Sequence, residues 1–225
     1  DKLPERIDQH LSVWVADTIA ALNWLEETQK SADELLLPGI HNLDLSKVGL
    51  FGHSYGGATA FHTCNQDSRF KACFNIEGGQ VGPANEYGGE CYKNPTFQIV
   101  SNDYPCTDDL AHFSRAYKQA LSDAYFLELK GIKHEAFALD IPLFSMEAFE
   151  GLPWLRTYMK KYVLGETDPK IIFRIVTRAL LGFFGKYLGK ASFPSLDSIV
   201  EDSTVVLYTR KDATGEAVIV DRRQR

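Results

Sequence analysis

Lys47-Val48-Gly49-Leu50-Phe51-Gly52-His53-Ser54-Tyr55-Gly56-Gly57-Ala58 is the stretch that decides the fold. The apolar run opened by Lys47 and closed by Gly52 reads as a short buried strand. The small residues after Ser54, continued by Thr59, Ala60 and Phe61, read as the start of a helix. Gly52-His53-Ser54-Tyr55-Gly56 therefore matches G-x-S-x-G in the strand, turn and helix setting of a nucleophile elbow. So tight a turn predicts strained backbone angles at Ser54. It also predicts that Gly52 and Gly56 stand where a Cβ would collide with strand or helix, and that Gly57 lets the helix pack close. The Ser54 hydroxyl would project above the sheet. The amide of Tyr55, at the helix N-terminus, would face the point where an oxyanion forms. Because such pentapeptides also arise by chance, the residues around the elbow decide its meaning.

Upstream, Ile7, Leu11, Trp14, Val15, Ile19, Leu22 and Leu25 recur at spacings of three and four, which predicts a core-facing helix over residues 7–27. Residues 31–44 are rich in Ser, Asp, Pro and Gly and read as a loop. Downstream, residues 70–76, 96–100 and 125–129 are apolar runs closed by turn residues, and the helix over residues 108–121 falls between the last two. Four strands alternating with helices predict an α/β fold with a mostly parallel sheet and flanking helices. After His134 the chain reads as helical over 144–163, broken at Gly165, and again over 168–188. The apolar stripe of the last helix fits either packing on a sheet or settling on a lipid surface. Residues 204–221 suggest a terminal hairpin turning at Ala213-Thr214-Gly215.

A chain of 225 residues, 44% hydrophobic and 24% charged, is able to bury a core. The net charge of −6 and the lack of a basic face near the elbow argue against a nucleic-acid partner. No apolar run reaches the roughly 18 residues that a spanning helix needs. The four cysteines show no CxxC or Cys/His ligand spacing, which argues against a zinc site. Cys64 and Cys73 read as buried thiols. Cys91 and Cys106 flank one strand in loops and could be bridged, which would accompany a secreted or periplasmic origin rather than a soluble cytoplasmic one.

A serine hydroxyl needs a histidine to take its proton and an acid to fix that imidazole. In this fold the order is serine, acid, histidine, each partner lying just past a strand. Of six histidines only His134 lies just past a strand downstream of Ser54, whereas His53 occupies the variable elbow position and reads as local packing. Two acids compete: Glu77 follows the strand after the elbow helix, and Asp103 follows the next one.

The chain resembles the platelet-activating factor acetylhydrolase family of α/β hydrolases. The likeness lies in Gly52-His53-Ser54-Tyr55-Gly56-Gly57-Ala58-Thr59-Ala60, Asp67-Ser68-Arg69-Phe70-Lys71, Asn75-Ile76-Glu77-Gly78 and Gly131-Ile132-Lys133-His134-Glu135-Ala136-Phe137. In that family the acid follows the strand after the elbow helix, where Glu77 stands in place of the usual Asp. Ser101-Asn102-Asp103 with His134 beyond it also resembles the cutinase and polyester-hydrolase arrangement. The resemblance implies a hydrolase domain over residues 1–203, with 204–225 as a hairpin-like tail. It implies a serine esterase or lipase in which Ser54, Glu77 and His134 are catalytic, the Tyr55 amide binds the oxyanion, and no metal or organic cofactor is used. The expected substrate is a small-molecule or lipid ester; Phe144, Phe149 and Trp154 fit an apolar acyl site, a lipid-facing surface in peripheral contact, or ordinary core packing. The alternatives are a polyester esterase using Asp103 and a non-catalytic interaction protein. The early strands of the fold and its second oxyanion donor are not found ahead of the elbow. An N-terminal fragment of the same protein is therefore an expected partner.

Overall fold

Among the described residues, the elbow strand, β1 (Val48–His53), forms one edge of a six-stranded sheet whose spatial order follows the chain. The computed structural model describes residues 3–31, 37–79, 92–102, 114, 116–138, 151–189, 193 and 195–223. Strands β2 (Phe70–Ile76), β3 (Thr96–Ser101) and β4 (Ala124–Leu129) pair in parallel, and β5 (Val205–Asp212) and β6 (Gly215–Asp221) continue the sheet antiparallel from β4. The fold is thus α/β with a mostly parallel sheet. The strands from β2 to β4 are buried almost throughout, which is why they read as continuous apolar runs rather than alternating ones.

Helices cover both faces. On one, α1 (Leu3–Ser31) and α2 (Tyr55–Gln66) bring Leu22 and Phe61 against Phe70, Val100 and Phe126. Helix α1 runs beyond the expected 7–27, with Leu11, Val15 and Leu22 as its buried stripe and Trp14 exposed. On the other face, the helix α3 (Pro153–Met159) and a π turn, Lys160–Leu164, lead through Gly165 into α4 (Pro169–Leu188). Asp168 caps α4 by accepting from the Lys170 amide at 2.8 Å. Ile172, Ile175, Val176, Ala179 and Phe183 are buried, so the apolar stripe of α4 packs on the sheet. There Phe74 and Phe97 stack with ring centroids 4.6 Å apart, Phe97 and Tyr125 at 5.4 Å, and Phe183 meets all three edge-on at 5.7–5.9 Å. No described helix is long and apolar enough to cross a membrane.

Two expectations are corrected. Cys64 and Cys73 are not free thiols but a disulfide. The last turn of α2 lies against the middle of β2 and leaves the two Cα atoms 6.5 Å apart, within bridging distance, an approach that nine residues of sequence separation do not reveal. The expected Cys91–Cys106 pair lies outside the described residues. The steric account of Gly56 also fails, because a Cβ there would meet nothing within 4 Å, whereas one on Gly52 would lie 2.3 Å from the Gly56 carbonyl and one on Gly57 2.3 Å from Asn75 Oδ1. The crowding is between the strand end and the helix backbone, and Gly56 is on the open side of it.

Candidate active site

The parallel strands end on one side of the sheet, and that side gathers the site. Ser54 follows β1 and stands at the N-cap of α2 with φ 57° and ψ −126°. Its amide donates to the Ile76 carbonyl at 2.9 Å, and its own carbonyl accepts from Gly57 and Ala58. These bonds hold the strained angles in place. Tyr55 is the first residue of α2, at the positive end of the helix dipole, and its ring meets Trp14 edge-on at 4.9 Å.

Glu77 follows β2 and has φ 51°. Among the described residues, it and Ser54 are the non-glycine positions with positive φ. The turn is stitched by Asn75, whose Oδ1 accepts from the Gly78 amide at 2.6 Å and whose amide donates to the Gly78 carbonyl at 3.1 Å. The Glu77 carboxylate is fully buried. Its Oε1 accepts from the Ser101 amide at 2.7 Å and from the Ser101 hydroxyl, so Oε2 is the oxygen left facing His134.

His134 opens a 3-10 turn (His134–Phe137) beyond β4. Gly131, with φ +66°, reverses the chain before it, and the Lys133 amide ties the loop to the Leu164 carbonyl at 3.1 Å. His134 Nδ1 lies 3.2 Å from Glu77 Oε2, and Nε2 lies 2.8 Å from Ser54 Oγ. A carboxylate only accepts, so Nδ1 carries the proton, and the Nε2 lone pair faces the serine hydroxyl. The hydrogen bond to Glu77 raises the His134 pKa above its ordinary value, outweighing the opposing effect of burial. The arrangement lets a proton pass from Oγ to Nε2 while a buried carboxylate stabilises the resulting imidazolium.

Ser54, Glu77 and His134 are thus brought into one hydrogen-bonded line. Asp103, Phe144 and Phe149 lie outside the described residues, and Trp154 is exposed. Among the described residues, no group of three or more His, Cys, Asp or Glu side chains is arranged to hold a metal ion. Two neighbours escaped the linear reading. Ser101, the last residue of β3, holds Glu77; the only signal for it was a small polar residue at a strand end beside the acid's strand. His53, the elbow's variable residue, places Nε2 3.0 Å from the His134 carbonyl, and no sequence pattern announces that contact.

Known proteins resemble this chain in sequence and in fold. The platelet-activating factor acetylhydrolase of Cavia porcellus is 27% identical over 161 residues, covering 71% of this chain and 34% of that protein. The Bos taurus protein of the same name is 24% identical over 185 residues, covering 80% and 38%. This chain therefore spans little more than a third of the length of the curated relatives it matches. A ferulic acid esterase from Streptomyces cinnamoneus superposes with a TM-score of 0.65 at 21% identity, covering 84% of this chain and 51% of that one. At that identity the likeness speaks for the α/β-hydrolase fold alone. The family model described as platelet-activating factor acetylhydrolase, isoform II, matches residues 36–205, a segment that takes in the elbow, the Glu77 turn and the His134 loop. By that match the chain belongs to the platelet-activating factor acetylhydrolase isoform II family.

Proposed function

We propose that this chain carries the reacting centre of a serine hydrolase that cleaves carboxylic esters with short or modest acyl groups. Acetylated glycerophospholipids are among its substrates, as the names of its relatives suggest. The observation that carries the reading is the 2.8 Å approach of His134 Nε2 to Ser54 Oγ. In this reading Ser54 Oγ attacks the ester carbonyl carbon as its proton passes to Nε2. The bond to the alcohol then breaks, and Nε2 returns the proton to the departing alkoxide. Water next attacks the acyl-serine, giving a proton to Nε2, and Ser54 recovers that proton as the carboxylic acid leaves. Glu77 holds the Nδ1 proton and stabilises the imidazolium, and the Tyr55 amide faces the oxyanion. No step draws on a metal or an organic cofactor.

The 3.2 Å contact supports Glu77 over Asp103 as the acid. The Cys64–Cys73 disulfide supports an oxidising location, secreted or periplasmic. Hydrolysis of p-nitrophenyl acetate that disappears in Ser54→Ala tests the activity; a Ser54→Ala protein as active as the parent refutes it. Release of acetate from a 1-alkyl-2-acetyl glycerophosphocholine tests the substrate class. Comparing Glu77→Gln with Asp103→Asn tests the choice of acid.

A further inference from the structure

His53 ends β1, paired with Ile76, and its side chain crosses from the elbow to the loop that bears His134. Its Nε2 lies 3.0 Å from the His134 carbonyl oxygen, and the two imidazoles lie with centroids 4.6 Å apart and planes inclined by 37°. The ring of Phe137, from the same loop, flanks it at 6.3 Å. A carbonyl only accepts, so Nε2 of His53 must carry hydrogen, and the neutral ring is the Nε2–H tautomer. Burial, then the nearby His134, lowers the His53 pKa, which keeps that ring neutral.

Two adjacent residues of the elbow therefore grip one residue of the loop. Ser54 holds the His134 ring through Nε2, and His53 holds the His134 backbone. The two bonds differ in when they exist. Acylation of Ser54 Oγ removes the first, at the stage when the same Nε2 must take a proton from water. From then on the ring is kept in place by Glu77 at Nδ1 and by His53 at the carbonyl. Backbone bonds from Lys133 to Leu164 and from Thr167 to Gly131 anchor the base of the loop.

We propose that His53 is a positioning residue, a latch between elbow and histidine loop that keeps the His134 ring aligned while Ser54 is acylated. This rests on the ester-hydrolase reading above. Two variants separate a hydrogen bond from mere packing. His53→Phe keeps a flat ring and loses the donor, whereas His53→Gln loses the ring and keeps an N–H at similar reach. With p-nitrophenyl acetate and thermal melts as a folding control, His53→Phe lowers kcat about 10- to 100-fold and lowers KM with it, leaving kcat/KM little changed, and His53→Gln stays within about threefold of the parent. The slow step in His53→Phe is deacylation, so a pre-steady-state burst of nitrophenol precedes the reduced steady rate. The reverse order, with His53→Phe near normal and His53→Gln impaired, overturns the latch, as does a His53→Phe protein slowed with no burst.

A second readout needs no turnover. Imidazole ¹⁵N spectra of the parent chain at mildly alkaline pH show His53 as the Nε2–H tautomer, and an Nδ1–H tautomer overturns the latch. Should the parent hydrolyse no ester, the ester reading alone has failed, and these spectra still decide the contact.

Discussion

Replacing Glu77 by Gln does more than remove a charge, because Ser101 dictates which way the new amide faces. Two Ser101 donors, the backbone N–H at 2.7 Å and the hydroxyl, point at Oε1. The carbonyl oxygen of a glutamine must stay there, so its NH₂ turns toward His134 Nδ1. Nδ1 then has to accept, the imidazole proton moves to Nε2, and Nε2 presents a hydrogen to Ser54 where a lone pair is needed. Regaining the working tautomer means turning the amide over. That breaks both Ser101 bonds at about 1 kcal/mol each and sets donors face to face, for about 1–2 kcal/mol more. Loss of the carboxylate beneath the imidazolium adds about 2 kcal/mol. A total near 5 kcal/mol corresponds to a loss of roughly 10³- to 10⁴-fold in kcat.

The assay is the pH dependence of p-nitrophenyl ester hydrolysis. In the proposed reaction His134 works as a neutral base, so the parent loses activity as pH falls through a His134 pKa raised above the ordinary 6.5. In Glu77→Gln the raising hydrogen bond and charge are gone while burial still lowers the pKa. The acid limb of the residual activity therefore moves to lower pH. Adding Ser101→Ala to Glu77→Gln takes away one donor that pins the amide and recovers part of the rate. A Glu77→Gln protein within tenfold of the parent refutes the reasoning, as does an acid limb that does not move. So does an Asp103→Asn loss that matches the expected collapse.

The remaining predictions concern the frame around the site. Reducing or replacing the Cys64–Cys73 disulfide, which closes a short loop between α2 and β2, lowers stability by about 2–3 kcal/mol in denaturant melts. Thiol titration of the unreduced, unfolded protein finds neither cysteine free. Phe183→Ala empties the space edge-on to Phe74, Phe97 and Tyr125 and costs about 3–5 kcal/mol by chemical unfolding. Gly52→Ala puts a Cβ 2.3 Å from the Gly56 carbonyl, so the elbow opens. Ester hydrolysis then falls together with reactivity of Ser54 toward a fluorophosphonate, whereas Gly56→Ala, with nothing within 4 Å, is much milder on both measures.

The local part of this protein was legible in the chain itself. Ser54 between glycines, after an apolar strand and before a helix of small residues, specifies its own strained corner, because the crowding at Gly52 comes from Gly56 and Gly57, four and five residues on. His134 was legible for a related reason: it is the histidine left just past a strand once the elbow is known. The apolar runs over 70–76, 96–100 and 125–129 gave the parallel sheet, since strands covered on both faces carry no polar alternation.

What tertiary structure alone decided involves partners distant in sequence. Glu77 faces His134 because Ser101, 24 residues on, occupies the other carboxylate oxygen. His53 bonds a carbonyl 81 residues away. Cys64 meets Cys73 because the end of a helix lies against the middle of a strand. In each case the residue type was plain in the sequence, but the pairing depends on strand register and helix placement. Those are set by the whole core, not by any short stretch of it.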